Sequence, residues 1–148
     1  AFVPKPVTPF QWAAMADTAE LKARIALLER ELRRVPNVRL HADVPRWAYV
    51  QALLARGDRR VGELLLGVHA AGGNWRRALR ESVLNADWFV LRERPAEETL
   101  PWDFIDHPVS RDYLRQEYER ALAGLDGPAC RPGAGCEACG ACPALHAG

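Results

Sequence analysis

The chain has 148 residues, of which 49% are hydrophobic and 26% are charged, and its formal net charge is +1. This length and composition are sufficient for a globular domain with a core, and the near-neutral charge excludes a general attraction to nucleic acid or to a membrane surface. The longest apolar run, residues 64–71, is too short to span a bilayer. Because no charged segment followed by an apolar leader sequence occurs, we expect a cytoplasmic, reducing compartment and no membrane partner.

The first twelve residues, AFVPKPVTPFQW, contain three prolines and show no helical period. The prolines favour an extended course, because each restricts its own backbone and that of the preceding residue. We therefore predict a short strand at Phe2 and Val3 that continues into a rigid loop, with this region ending at residue 17. Since the chain begins at Ala1 rather than Met and opens in this way, we expect it to be a fragment of a longer protein.

The next region, residues 18–123, is predicted to be mostly helical. Asp17 or Thr18 caps a first helix that extends to about residue 34. Its apolar residues recur at helical spacing and define one face: Leu21, Ile25, Leu28 and Leu32. The alternation in VRLHA, residues 38–42, is compatible with a short strand.

Cap and stop residues predict four further helices in this region. The second lies between Asp43 and Gly57, with a proline in its first turn, and the third follows Asp58 and extends to about residue 71. The fourth begins after Asn74 and weakens near residue 85, and residues 86–109 are predicted to be less regular. The last helix follows Ser110 and ends near residue 124. The predicted fold class is therefore mainly α.

The third region, residues 124–148, contains all four cysteines of the chain, Cys130, Cys136, Cys139 and Cys142, with the spacing C-x5-C-x2-C-x2-C. Thiolates three positions apart on a glycine-containing loop can converge on one centre, and four of them satisfy either tetrahedral zinc or a cubane iron–sulfur cluster. Zinc ribbons usually separate their two cysteine pairs by a dozen or more residues, so we favour the iron–sulfur cluster over zinc. Disulfides, or unliganded thiols on a disordered tail, are the remaining alternatives.

Two other sets of residues have a structural and a functional interpretation. Asp103, Asp106 and His107 are of residue types that bind metals, but the flanking prolines favour turn and cap roles. The arginine pairs at residues 33–34, 59–60 and 76–77 are of a type that contacts phosphates. Acidic residues are interleaved with them, so we favour solvated helix faces and regard nucleic acid as the less favoured partner. No complete active site is present.

Three stretches of the chain together resemble one protein family. AFVPKPVTPFQW resembles the segment F-V-P-K-P-x-T-P-F-Q-W near the end of the barrel in radical S-adenosylmethionine proteins that carry an N-terminal cobalamin-binding-type domain. LPWDFIDHPVSRDYLRQEYERAL, residues 100–122, is similar to the segment before that family's C-terminal cysteines. CEACGAC, residues 136–142, is similar to its closing C-x-x-C-G-x-C. The order and separation of the three also fit.

The resemblance implies that the chain is the C-terminal part of a larger enzyme. Residues 1–17 would be the end of the barrel, residues 18–123 a helical accessory region, and residues 124–148 a metal-binding tail. The partner would be the missing remainder of the barrel. By analogy with other barrels, Lys5, Thr8 and Gln11 would supply binding groups after the strand. Without the barrel, we expect Phe2, Phe10 and Trp12 to lack neighbours.

The resemblance also limits what this chain can do alone. The family's C-x3-C-x2-C motif, which holds the catalytic [4Fe–4S] cluster, is absent, and so is the cobalamin-type domain. S-adenosylmethionine and the catalytic cluster are therefore implied only for the full-length protein, and this chain is expected to be inactive. The alternative function is a stand-alone helical binding module with a structural zinc knuckle.

Overall fold

The computed structural model describes residues 2–130 and 139–142 and confirms the mainly α fold class. Within these residues there are six α-helices and no strand. A single turn of 3₁₀ helix, Pro9–Trp12, precedes them. The α-helices are α1 (Thr18–Leu32), α2 (Pro45–Arg56), α3 (Val61–Ala70), α4 (Trp75–Glu81), α5 (Ala86–Val90) and α6 (Arg111–Leu122). None of these helices is long and apolar enough to cross a membrane.

Helices α1, α4, α5 and α6 begin at side chains that accept a hydrogen bond from the first turn, whereas α2 and α3 have no such cap. Asp17 accepts from the backbone N–H of Glu20 at 2.8 Å, so it, and not Thr18, caps α1. The predicted caps of α4 and α6, Asn74 and Ser110, are confirmed in the same way. Helix α5 was not predicted, because five residues are too short to show a helical period.

The two predicted strands are wrong. Phe2 and Val3 lie in irregular chain, and residues 38–42 are irregular and exposed. A strand is stabilised by hydrogen bonds to a neighbouring strand, and the described residues contain none. Alternation alone therefore did not produce strand structure in residues 38–42.

The described chain forms two compact units. The first unit comprises residues 2–5 and 13–93, and the second comprises the described residues of 6–12 and 94–142. In the first unit, the main cluster of buried apolar side chains comes from helices α1 to α5 and from Met15. The Arg56 side chain is also fully buried there and donates to the carbonyl oxygen of Val90 at 3.1 Å, so α2 is joined to the end of α5.

Helix α1 buries only part of its predicted apolar face. Leu21 is buried at 5% exposure, but Leu28 is 47% exposed. Ile25 and Leu32 are half-buried. The apolar period therefore predicted the helix correctly, although only its first turns contribute to the core.

The second unit has its own core around Trp12. The Trp12 side chain is 1% exposed, and its ring lies 6.0 Å from that of Tyr118 on α6. Leu100, Trp102 and Leu114 are buried in the same unit. The expectation that Trp12 lacks neighbours is therefore wrong, because α6 supplies them. Phe10 likewise packs edge-on against Tyr118, with 5.7 Å between ring centroids.

Gly57, at the junction between α2 and α3, leaves no space for a side chain. A Cβ atom at this position would overlap Cγ2 of Val61 and would lie 2.7 Å from the carbonyl oxygen of Leu53. We expect Gly57→Ala to lower the free energy of unfolding by about 1–3 kcal/mol, as overpacking does. Chemical denaturation followed by circular dichroism measures this change.

Gly67→Ala is the matched control, since a Cβ atom there meets nothing within 4 Å. Because alanine is the better helix former, this variant should be more stable by about 0.5–1 kcal/mol. Equal effects of the two substitutions would contradict the steric explanation for Gly57.

Candidate metal-binding segment

The four predicted ligands are only partly within the described residues. Cys130 is exposed, Cys139 and Cys142 are half-buried, and Cys136 lies outside the described residues. Within residues 2–130 and 139–142, no group of three His, Cys, Asp or Glu side chains is placed to hold a metal ion. The proposed ligand set includes Cys136, so it stays a prediction.

Residues 139–142 are attached to the start of α6. The backbone N–H of Ser110 donates to the carbonyl oxygen of Cys139 at 2.8 Å, while the Ser110 hydroxyl caps α6 by accepting from the N–H of Tyr113. Gly140 has a φ of +83°, and a Cβ atom there would lie 2.7 Å from the carbonyl oxygen of Pro108. This close approach requires glycine between Cys139 and Cys142.

The segment that receives Cys139 is itself held by Asp103 and Arg111. Asp103 accepts a hydrogen bond from the N–H of Leu100 at 2.7 Å and forms an ion pair with Arg111. Arg111 also donates to the carbonyl oxygens of Ala96 and Glu98, each at 2.7 Å. The predicted turn role of Asp103 is therefore confirmed, since its carboxylate organises the approach to α6.

Asp106 and His107, the other two residues of the less favoured metal interpretation, do not join Asp103 in such a group. Asp106 is exposed and His107 is half-buried. No metal-binding cluster in the described part of the chain includes either of them. The turn interpretation accounts for Asp103, and nothing in the described contacts gives these two side chains a ligand role.

Gln11 has a structural role that sequence reasoning missed. Its Oε1 accepts hydrogen bonds from the indole N–H of Trp102 at 2.7 Å and from the backbone N–H of Val7 at 3.1 Å. Val7 has a φ of +56°, which is unfavourable for a β-branched residue. Gln11, at 3% exposure, is therefore not available as a binding group after a barrel strand. The signal that could have suggested this was its position between two aromatic residues.

Lys5 and Thr8 were predicted to supply binding groups together with Gln11. Lys5 belongs to the first unit and Thr8 to the second. A binding role for Lys5 and Thr8 stays a prediction.

The second unit brings together parts of all three stretches that carry the family resemblance. Pro9–Trp12 contacts α6 through the rings of Phe10 and Trp12. In the second stretch, the indole N–H of Trp102 donates a hydrogen bond to Gln11, and the backbone N–H of Ser110 donates one to the carbonyl oxygen of Cys139. Segments that are far apart along the sequence are thus joined by direct contacts.

Comparisons of the chain with protein-family models, with curated proteins and with solved structures found no match. What this segment does therefore has to be inferred from the contacts of the described residues.

Replacing Gln11 by methionine should destabilise the second unit. The substitution keeps the side-chain length but leaves the indole N–H of Trp102 and the N–H of Val7 without their acceptor. Each buried donor left unpaired costs about 1–3 kcal/mol. Urea denaturation monitored by tryptophan fluorescence measures the loss.

Gln116→Met is the control, because Gln116 is exposed on α6. It should change the unfolding midpoint little. If Gln11→Met were as stable as this control, the hydrogen bonds of Gln11 would not be structurally important.

Gly140→Ala should release the Cys139 carbonyl from Ser110, since the added methyl would collide with the Pro108 carbonyl. The expected result is faster hydrogen exchange of the Ser110 amide. Gly124→Ala is matched to it, because Gly124 also has a positive φ, of +68°, but a Cβ atom there meets nothing within 4 Å. Exchange at Ser110 that is unchanged in Gly140→Ala, or equally faster in both variants, would refute this docking.

Proposed function

We propose that this chain is the C-terminal region of a radical S-adenosylmethionine enzyme and carries an auxiliary metal centre. Three stretches of its sequence resemble that family, and parts of all three lie in the second unit. There, Trp12 packs against Tyr118 on α6, the indole N–H of Trp102 donates to Gln11, and the N–H of Ser110 donates to the Cys139 carbonyl. Such an arrangement supports the interpretation of the three stretches as parts of one functional element.

The observation that carries the proposal is the hydrogen bond from the Ser110 N–H to the Cys139 carbonyl at 2.8 Å. Together with the close packing of Gly140 on Pro108, it argues against a loose tail for residues 139–142. A fixed backbone lowers the entropic cost of bringing thiolates to a common centre.

The donor chemistry fits a cluster or a zinc ion. Cys130, Cys136, Cys139 and Cys142 would supply four thiolates, which is the ligand set of both. We favour a cubane iron–sulfur cluster, since three of the cysteines are spaced too closely for two separate zinc knuckles. Such a cluster would supply electron transfer or would anchor substrate, whereas zinc would only fix the segment.

The chain is not expected to perform radical chemistry on its own. Its Cys136, Cys139 and Cys142 follow the spacing C-x2-C-x2-C and not C-x3-C-x2-C. S-adenosylmethionine and the catalytic [4Fe–4S] cluster would bind to the remainder of the barrel, which is the proposed partner of this chain. Sequencing upstream of Ala1 tests this part of the proposal: a C-x3-C-x2-C motif in the same reading frame would support it.

Anaerobic reconstitution with iron and sulfide tests the auxiliary centre. We expect about four irons and four sulfides per chain, as for a cubane cluster, with the corresponding visible absorption. Cys139→Ser should lose both. Ala141→Ser is the matched control, because it introduces the same hydroxyl group next to the proposed ligand without removing a thiol.

The other outcomes separate the alternatives. One bound zinc ion without sulfide would reject the cluster and favour a helical binding module with a zinc knuckle. No iron and no zinc would reject the metal site altogether.

A further inference from the structure

The first unit contains an open groove that is distinct from the cysteine segment. It has a volume of about 990 Å³, which is within the range of ligand-binding sites. Its walls come from the start of α1, from α2 and α4, and from the start of α5. The side chains on which its chemistry depends are Asp17, Arg46, Trp47, Tyr49, Trp75 and Arg76.

Two indole rings line this groove without being fully buried. Trp47 is 47% exposed, and Trp75 is half-buried. Both tryptophans of the second unit, Trp12 and Trp102, are by contrast buried in its core. Trp75 also packs against the core of the first unit, whereas Trp47 does not, and an exposed indole in the wall of a concave surface suggests a ligand that contains a flat ring.

An arginine is adjacent to each of these rings along the chain. Arg46 lies over the ring of Trp47, with 5.2 Å between its guanidinium carbon and the ring centroid. Arg76 follows Trp75 at the start of α4. Within the described residues neither arginine forms an ion pair, whereas the neighbouring Arg77 is paired with Glu81 at 2.9 Å. Both guanidinium groups are therefore available to an anionic ligand.

Most hydrogen-bond acceptors in the groove already accept a hydrogen bond from another group of the protein. The side-chain oxygens of Asn74 and Asn85 accept from the N–H groups of Arg77 and Trp88. Their amide nitrogens remain as donors.

The acidic residues of the groove are also engaged. Asp17 caps α1, and Asp87 accepts from the hydroxyl of Tyr49 at 2.6 Å. Burial, together with this hydrogen bond, raises the pKa of Tyr49, so the phenol stays protonated and continues to donate. The groove therefore presents mainly aromatic rings and hydrogen-bond donors to a ligand.

We propose that this groove binds a nucleotide, with its base on Trp47 or Trp75 and its phosphate on Arg46 and Arg76. The ring of any nucleotide base can stack on an indole, and guanidinium groups bind phosphate oxygens. The first unit also has fifteen Lys and Arg residues against ten Asp and Glu residues. A proline-rich peptide could use the indoles but would leave the guanidinium groups without anionic partners.

The two acidic side chains determine how such binding should respond to salt. Asp17 and Asp87 offset the charges of Arg46 and Arg76, so stacking must contribute most of the affinity. With two phosphate contacts, the slope of log K against log salt should be no steeper than about −1.4. The affinity should depend little on which base the nucleotide carries.

Titration of the whole chain with a thymidine dodecamer and with thymidine 5′-monophosphate tests the proposal. Quenching of tryptophan fluorescence reports stacking, and anisotropy of the labelled oligonucleotide gives its affinity at two salt concentrations. Equal affinities per nucleotide would indicate a free nucleotide as ligand, and tighter binding of the dodecamer would indicate a single strand. Either result supports the nucleotide site.

Paired variants locate the binding. Trp47→Ala should weaken it by about 5- to 100-fold, while Trp88→Ala, which removes a similarly exposed ring (44%) that does not line the groove, should not. Arg76→Ala should weaken binding and reduce the salt slope by about 0.7, while Arg77→Ala should leave the slope unchanged.

Three results would overturn the proposal. They are absence of binding of both probes up to millimolar concentration, equal effects of each variant and its control, and tighter binding of a proline-rich peptide than of either probe. Circular dichroism of the variants shows whether each remains folded. Because this test needs no metal, its outcome is independent of the cysteine centre.

Discussion

The amide oxygen of Gln11 is the contact on which the second unit depends. It accepts from Trp102, 91 residues further along the chain, and from the N–H of Val7 in the same loop. The N–H of Arg94 donates to the carbonyl oxygen of Trp12 at 2.8 Å and joins the same two segments. Buried donors without acceptors are costly, so residues 6–12 are held to Arg94, Trp102 and α6 by hydrogen bonds as well as by apolar packing.

Around this contact, aromatic rings and arginines stabilise one another. Arg111 and Arg115 lie over the ring of Trp12, at 5.8 and 5.7 Å from its centroid. Arg111 also holds the chain before α6 through Asp103 and two carbonyl oxygens. The first turn of α6 thus connects the Trp12 core to the place where Cys139 docks. One residue of the proposed ligand set, Cys139, is thereby held at the start of this helix.

The first unit uses a buried charge for a similar purpose. The guanidinium group of Arg56 donates to the carbonyl oxygens of Val90 and Arg92. It thereby fixes the end of α5, a helix of five residues that is too short to be stable by itself. Asn85 and Asp87 at the start of α5 are in this way kept in the wall of the groove. The proposed nucleotide site and the proposed metal centre therefore depend on separate cores.

The sequence alone determined the features that depend on local chemistry. The helix positions could be predicted from the capping residues Asp17, Asn74 and Ser110 and from the spacing of apolar residues. Both signals depend on residues about one helical turn apart. The cysteine spacing likewise defined a candidate ligand set.

Only the tertiary structure decided the features that depend on distant segments. It buried Trp12 under α6, gave Gln11 a structural role and left Leu28 exposed, because each outcome depends on which residues from elsewhere in the chain lie beside that side chain. The groove could not be predicted for the same reason. Trp47 and Trp75 are 28 positions apart, and no periodic pattern indicates that α2 and α4 present them to one cavity.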